Sequence, residues 1–187
     1  MKIIDVQSLL ICSILLFTVS CKKGLDKTFT TPEEPASFAF LSNSNASSKV
    51  QARTFKGQIV GSFVSQPTSD PTIYWGGANA SGIVTHLGIF NKVTNDVINL
   101  LTSIVDGTFI MTSPAGEQIM GNYNGLFSFG SAPGTFSWEL NATIIGGSGR
   151  FSNATGEFVF LANGTYVIED GVVRGDYTET FDGIITY

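Results

Sequence analysis

The stretch TFSWELNATI, residues 135–144, places Phe136, Trp138, Leu140, Ala142 and Ile144 on one side and Thr135, Ser137, Glu139, Asn141 and Thr143 on the other. Side chains of an extended chain point to opposite faces in turn, so this alternation predicts a half-buried β-strand. Working outward, less regular versions of the pattern run through 55–64, 82–90, 97–105, 108–112, 118–127, 157–161, 166–169 and 175–187. SPAGE (113–117), APG (132–134), ANG (162–164) and EDG (169–171) separate them as turn signals, each with the glycine that a positive φ favours. NKVTNDVINLL (91–101) is ambiguous between helix and strand, and no segment after the N-terminal leader has a clear helical period. Many short, evenly spaced strands predict an antiparallel sandwich or barrel.

Before this β-rich body the texture differs. Lys2 precedes an apolar run from Ser8 to Val19, which reads as a signal peptide and is shorter than the roughly 20 apolar residues that span a bilayer. The run ends Thr18-Val19-Ser20-Cys21, which resembles a bacterial lipobox, with Thr18 where that pattern usually has Leu. The resemblance implies cleavage before Cys21 and acylation of its thiol; the alternative is a plain secretory signal with an incidental cysteine. Residues 22–52 are rich in Lys, Thr, Pro, Glu, Ser and Asn, a composition that buries too little apolar area to offset chain entropy. The expected organisation is a leader at 1–20, an acylated cysteine and flexible tether at 21–52, and one domain at 53–187.

Charge and cysteine content narrow the function. Cys12 leaves with the leader and Cys21 takes the lipid, so the body is expected to have no thiol and to fold without disulfides. About 130 residues is a common single-domain size. A net charge of −5 argues against nucleic acid, whose phosphates call for a basic surface. With one histidine and no body cysteine, neither a structural zinc site nor any other metal or cofactor is expected.

IIGGSGRFSNATGEFVF (144–160) gathers glycines around Arg150 in the manner of a phosphate loop. A phosphate loop leads from a strand into a helix whose N-terminus faces the anion; here EFVFLANGTYVI (157–168) follows instead, which reads as strand, turn and strand. The glycines are therefore expected to serve the backbone. Gly146, Gly147 and Gly149 permit a reversal, and Gly156 permits close approach of a neighbouring strand. Phe151 turns inward as an anchor, and Arg150 ties the turn to a carboxylate.

GGSGRFSNATGEF (146–158), with Gly147, Gly149, Arg150, Phe151 and Gly156, resembles the Gly-Thr-Gly-Arg-Phe-x-x-Ala-x-Gly signature of allene oxide cyclase-like and dirigent-like β-barrels. THLGIF (85–90) is similar to a strand motif of secreted bacterial proteins of that barrel type. The resemblance covers roughly residues 54–187 and implies an all-β, calycin-like, single antiparallel eight-stranded barrel around an apolar cavity. Plant enzymes of this fold act mainly by shaping a substrate in the cavity. None of their catalytic positions matches here, so no catalytic residue is carried over. Members often form oligomers; no feature of this sequence chooses an oligomeric state.

Five side chains are candidates for a cavity or ligand site. His86 is the one histidine; on a strand it would share a face with Val84, Gly88 and Phe90, as a polar group at the cavity or as a buried, hydrogen-bonded structural residue. Glu179 would share a face with Tyr177 and Phe181, and a carboxylate in that setting ordinarily faces solvent. Tyr74 and Trp75, within TIYWGGANASG (72–82) read as a loop, form a candidate stacking platform, and Trp138 is a candidate cavity aromatic; aromatic residues in small barrels more often fill the interior. Three functions follow. The first is an envelope lipoprotein, secreted across the inner membrane and held by Cys21, that binds a small apolar ligand in its barrel. The second is a solid barrel acting through its surface. The third, ranked last, is a cyclase-like or isomerase-like enzyme working by cavity shape.

Overall fold

A computed structural model describes residues 51–187. The leader, Cys21 and nearly all of the expected tether lie outside the described residues. Eight strands follow in chain order: β1 Arg53–Pro67, β2 Ile73–Val84, β3 Gly88–Asn99, β4 Ile104–Thr112, β5 Gln118–Phe129, β6 Thr135–Gly147, β7 Thr155–Glu169 and β8 Val172–Thr186. Each pairs antiparallel with its sequence neighbours, and β1 pairs with β8 to close an eight-stranded barrel. Closure leaves no exposed sheet edge.

Several expected boundaries shift. The 82–90 and 97–105 runs straddle turns, because Thr85–Leu87 and Leu100–Ser103 reverse the chain. Residues 157–161 and 166–169 belong to one strand, with Ala162-Asn163-Gly164 inside it. The ambiguous 91–101 stretch is mostly β3, and TIYWGGANASG is mostly β2 rather than a loop.

The glycine-rich stretch closes one end of the barrel. Met120 pairs with Gly146 but Gly121 pairs with Ile144, so Ile145 is an extra, bulged residue in β6. A short 3-10 turn at Gly149–Phe151 follows. Gly149 adopts φ +61°, a conformation L side chains resist. At Gly147 a Cβ would lie 2.0 Å from the Gln118 carbonyl oxygen. The turn drives Phe151 into the barrel at 0 % exposure, its ring 4.7 Å from that of Tyr187. Arg150 donates to the His86 carbonyl oxygen and pairs with Glu117 at 3.2 Å. Phe55, Phe90, Phe109, Phe158 and Phe181 fill this half, meeting largely edge-on or tilted at 5.2–6.2 Å. Such pairs add about 0.5–1.5 kcal/mol each beyond their buried area.

The outer face carries Asn79, Asn91, Asn95, Asn122, Asn124 and Asn141, all exposed. Beside them Val60, Ile83, Ile89, Leu126, Leu161 and Ile184 are exposed as well, so the outer face mixes polar and apolar side chains. The opposite end, ringed by the turns at 68–72, 100–103, 130–134 and 170–171, is not plugged.

Candidate functional site

Eight strands enclose an interior that side chains either fill or leave just wide enough for one small ligand. This barrel is filled in its closed half and hollow toward the mouth. The cavity measures about 140 Å³. Its upper wall is aromatic and aliphatic: Phe63, Tyr74, Phe127, Phe136, Tyr166 and Ile168 among others. Its deeper wall carries polar groups set in by β3 and β8, namely Lys92, Thr94 and Asp96 on β3, and Tyr177 and Glu179 on β8.

These groups fall into two sets. In the first, Lys92 Nζ pairs with Glu179 Oε1, the two side chains only 3 % and 1 % exposed. Trp138 Nε1–H donates to the other carboxylate oxygen at 3.1 Å. The ammonium also lies 4.2 Å from the Phe160 ring centroid and 5.7 Å from that of Tyr177, within cation–π range. Burial pushes the Lys92 amine down and the Glu179 carboxyl up, and each partner's charge pulls the other back. Both groups are thereby held in place, and Glu179 has both oxygens served.

In the second set, the Ala78 backbone N–H donates to Thr94 Oγ1 at 2.9 Å, where the β2–β3 ladder is interrupted between the Gly76–Asp96 and Asn79–Val93 pairs. Thr94 Oγ1–H in turn donates to Asp96 Oδ2 at 3.0 Å. Asp96 Oδ1 is buried and receives no hydrogen bond, and the buried Tyr177 hydroxyl likewise has no partner. Burial raises the Asp96 carboxyl to about 7, against the opposing effects of Thr94 and Lys92. Burial, together with the nearby Glu179 and Asp96 carboxylates, raises the Tyr177 phenol.

Of the residues singled out from the sequence, Glu179, Trp138 and Tyr74 line this one cavity. Glu179 is interior, which corrects the expectation of an outward carboxylate; Lys92 makes the inward position tolerable. His86 is neither on a strand nor at the cavity. It occupies the β2–β3 turn at the closed end with φ +71°, its Nε2 3.0 Å from the Thr54 carbonyl oxygen. Trp75 is 58 % exposed on the outer face, so the Tyr74–Trp75 platform does not form: neighbours on a strand face opposite ways. Gly147, Gly149, Arg150, Phe151 and Gly156 build the far end of the barrel and touch no part of the cavity wall.

Lys92 and Asp96 carry much of the site's polarity and were not among the sequence candidates. The signal was present in their parity: Phe90, Lys92, Thr94, Asp96 and Ile98 share one face of β3. Among the described residues no group of His, Cys, Asp and Glu is arranged to hold a metal ion. Compared with known proteins, the chain matches no family model, no curated protein and no solved structure.

Proposed function

We propose that this chain is a non-catalytic binding protein that takes a small, largely apolar molecule into the open half of its barrel. The cavity carries this reading. An apolar cavity of about 150 Å³ in a well-packed protein stays dry and takes up benzene or xenon, and this one, at about 140 Å³, is of that size and opens at the barrel mouth. The packed closed half supplies the rigidity that keeps the cavity preformed. The lipobox resemblance at Cys21 supports a role at the bacterial cell envelope, with the barrel tethered to a membrane by its acyl chain. The resemblance of 146–158 to allene oxide cyclase-like and dirigent-like barrels supports the same architecture of closed strands around an apolar pocket. The Lys92–Glu179 pair is what an enzyme reading has in its favour. Its two charges neutralise each other, however, and Glu179 is also tied to Trp138, so binding is the reading the geometry supports best.

The test uses Ala78, which is buried in the cavity wall. Of the two tryptophans, Trp75 is on the outside, so Trp75→Phe leaves Trp138 as a reporter at the cavity. In that background, saturable quenching or a blue shift of Trp138 on titration with ethylbenzene is expected, and Ala78→Leu, which fills the space, should abolish it while leaving the thermal transition in place. Equal responses with and without Ala78→Leu would refute a ligand cavity.

A further inference from the structure

Charge and hydrogen bonding inside the barrel do not balance. The ionisable groups of fixed sign on the cavity wall are one lysine and two carboxylates. Lys92 is committed to Glu179, whose second oxygen is occupied by Trp138. That leaves Asp96 with a buried oxygen that accepts no hydrogen bond. Among the described residues just two buried side-chain polar atoms lack a partner, Asp96 Oδ1 and Tyr177 Oη, and both residues line this cavity. Native proteins rarely leave such atoms unsatisfied, because each forfeits its hydration for nothing. Around them the wall offers Tyr123, Phe127, Phe136, Trp138 and Tyr166, rings whose faces attract a cation.

We infer that the molecule bound in this cavity is a small apolar amine whose ammonium group sits against Asp96 and the Tyr177 hydroxyl, with its hydrocarbon part among the mouth-side aromatics. The inference rests on the cavity being a ligand site and names the chemistry that site selects. An ammonium group donates hydrogen bonds and carries the charge that Asp96 lacks opposite it; an alcohol donates but leaves the carboxylate uncompensated, and a hydrocarbon does neither. A carboxylate ligand would add a third negative group beside Asp96 and Glu179. The groups facing Asp96 are Lys92 and Thr94 on its own strand, Tyr123 on β5, and Tyr177 and Glu179 on β8; Gly76 and Gly107, its register partners on β2 and β4, bring no charge. Because burial raises the Asp96 carboxyl to about 7, an ammonium ligand binds the ionised form and displaces a proton below that pH.

The experiment is calorimetric titration of the full chain with three probes of similar shape: 2-phenylethylamine, 2-phenylethanol and ethylbenzene. At pH 8 the amine is expected to bind about tenfold or more tighter than either neutral probe, since a buried hydrogen-bonded charge pair contributes more than a neutral contact. Its affinity should fall by about tenfold or more between pH 8 and pH 5.5 as Asp96 takes up its proton, while that of the alcohol stays level. Asp96→Asn should bring the amine down to the level of the alcohol and remove its dependence on pH, with ethylbenzene, which engages no polar group, reporting whether the cavity persists. Neutral probes that bind as tightly as the amine, or an amine affinity indifferent to both pH and Asp96→Asn, would overturn the amine assignment and leave the binding reading standing. No binding by any of the three would overturn both. The pH series on the unaltered protein decides the matter even if Asp96→Asn does not fold.

Discussion

Lys92 and Glu179 show how strongly context governs a buried charge. Each alone would be strongly disfavoured at this burial, and together they are tolerated because the pair is close, tied to Trp138 and capped by the Phe160 ring. Removing one partner leaves the other uncompensated, so Lys92→Met is expected to destabilise the barrel by about 3–5 kcal/mol, whereas Lys92→Met with Glu179→Leu should restore most of that loss. Urea unfolding of the two variants checks this, and equal destabilisation by both would contradict a coupled pair. Asp96 makes a separate prediction. Its carboxyl holds a proton up to about pH 7 in the folded barrel, against an ordinary value of 3.8, so folding takes up a proton between those values. Stability of the ligand-free protein should therefore fall as pH rises from 4 to 7, by at most about 1.4 kcal/mol per unit. Denaturation midpoints across that range should show the slope, and Asp96→Asn should flatten it.

At the scale of elements, β6 and β3 mark the limits of reading the sequence. The spacing of the strands pointed to a sandwich or barrel, and eight-stranded closure was what the resemblance of the glycine-rich turn implied. β6 was legible because Phe136, Trp138, Leu140, Ala142 and Ile144 alternate on its inner face, Ile145 alone turning out at the bulge. β3 was not, since its pattern is partly inverted: Val93 and Val97 are 49 % and 44 % exposed while Lys92 and Thr94 are buried beneath them. Hydrophobic alternation gives such a strand no clear inner face. Glu179 on β8 shares its face with Tyr177 and Phe181 and was read outward for another reason, that a carboxylate ordinarily faces solvent. Each charge looks misplaced until its partner 87 residues away is known, and pairing over that separation leaves no local trace. Similarly, THLGIF continues the strand pattern through a reversal, so His86 reads as a strand residue although it forms the turn. The glycine-rich segment was clearer, because glycine at a left-handed position and a large aromatic beside it have few other uses. Its Phe151 plugs the closed end, and Phe151→Ala is expected to lower stability by about 3–5 kcal/mol, read by thermal unfolding. Ligand affinity should change little, because Phe151 lies at the opposite end from the cavity.

Taken as a whole, the molecule divides its interior between two tasks. The end carrying the glycine turn and both ends of the strand array, Arg53 and Tyr187, is packed solid, with Arg53 Nη1 donating to Tyr187 Oη at 3.1 Å across the first and last residues of the described barrel. The other end keeps a mouth rimmed by Leu100, Leu101, Phe129 and Ile168, all exposed or nearly so, above a polar floor that is half satisfied. A solid barrel acting through its surface would have no use for that floor, since apolar side chains would fill the space more favourably than unpaired polar atoms. The central claim is thus that the open half exists to be occupied. Native mass spectrometry of the full chain isolated from its own cells tests it most directly, with the Ala78→Leu variant prepared in parallel. The account predicts one small molecule of defined mass, released on unfolding and missing from Ala78→Leu; identical ligand-free masses for both proteins would contradict it.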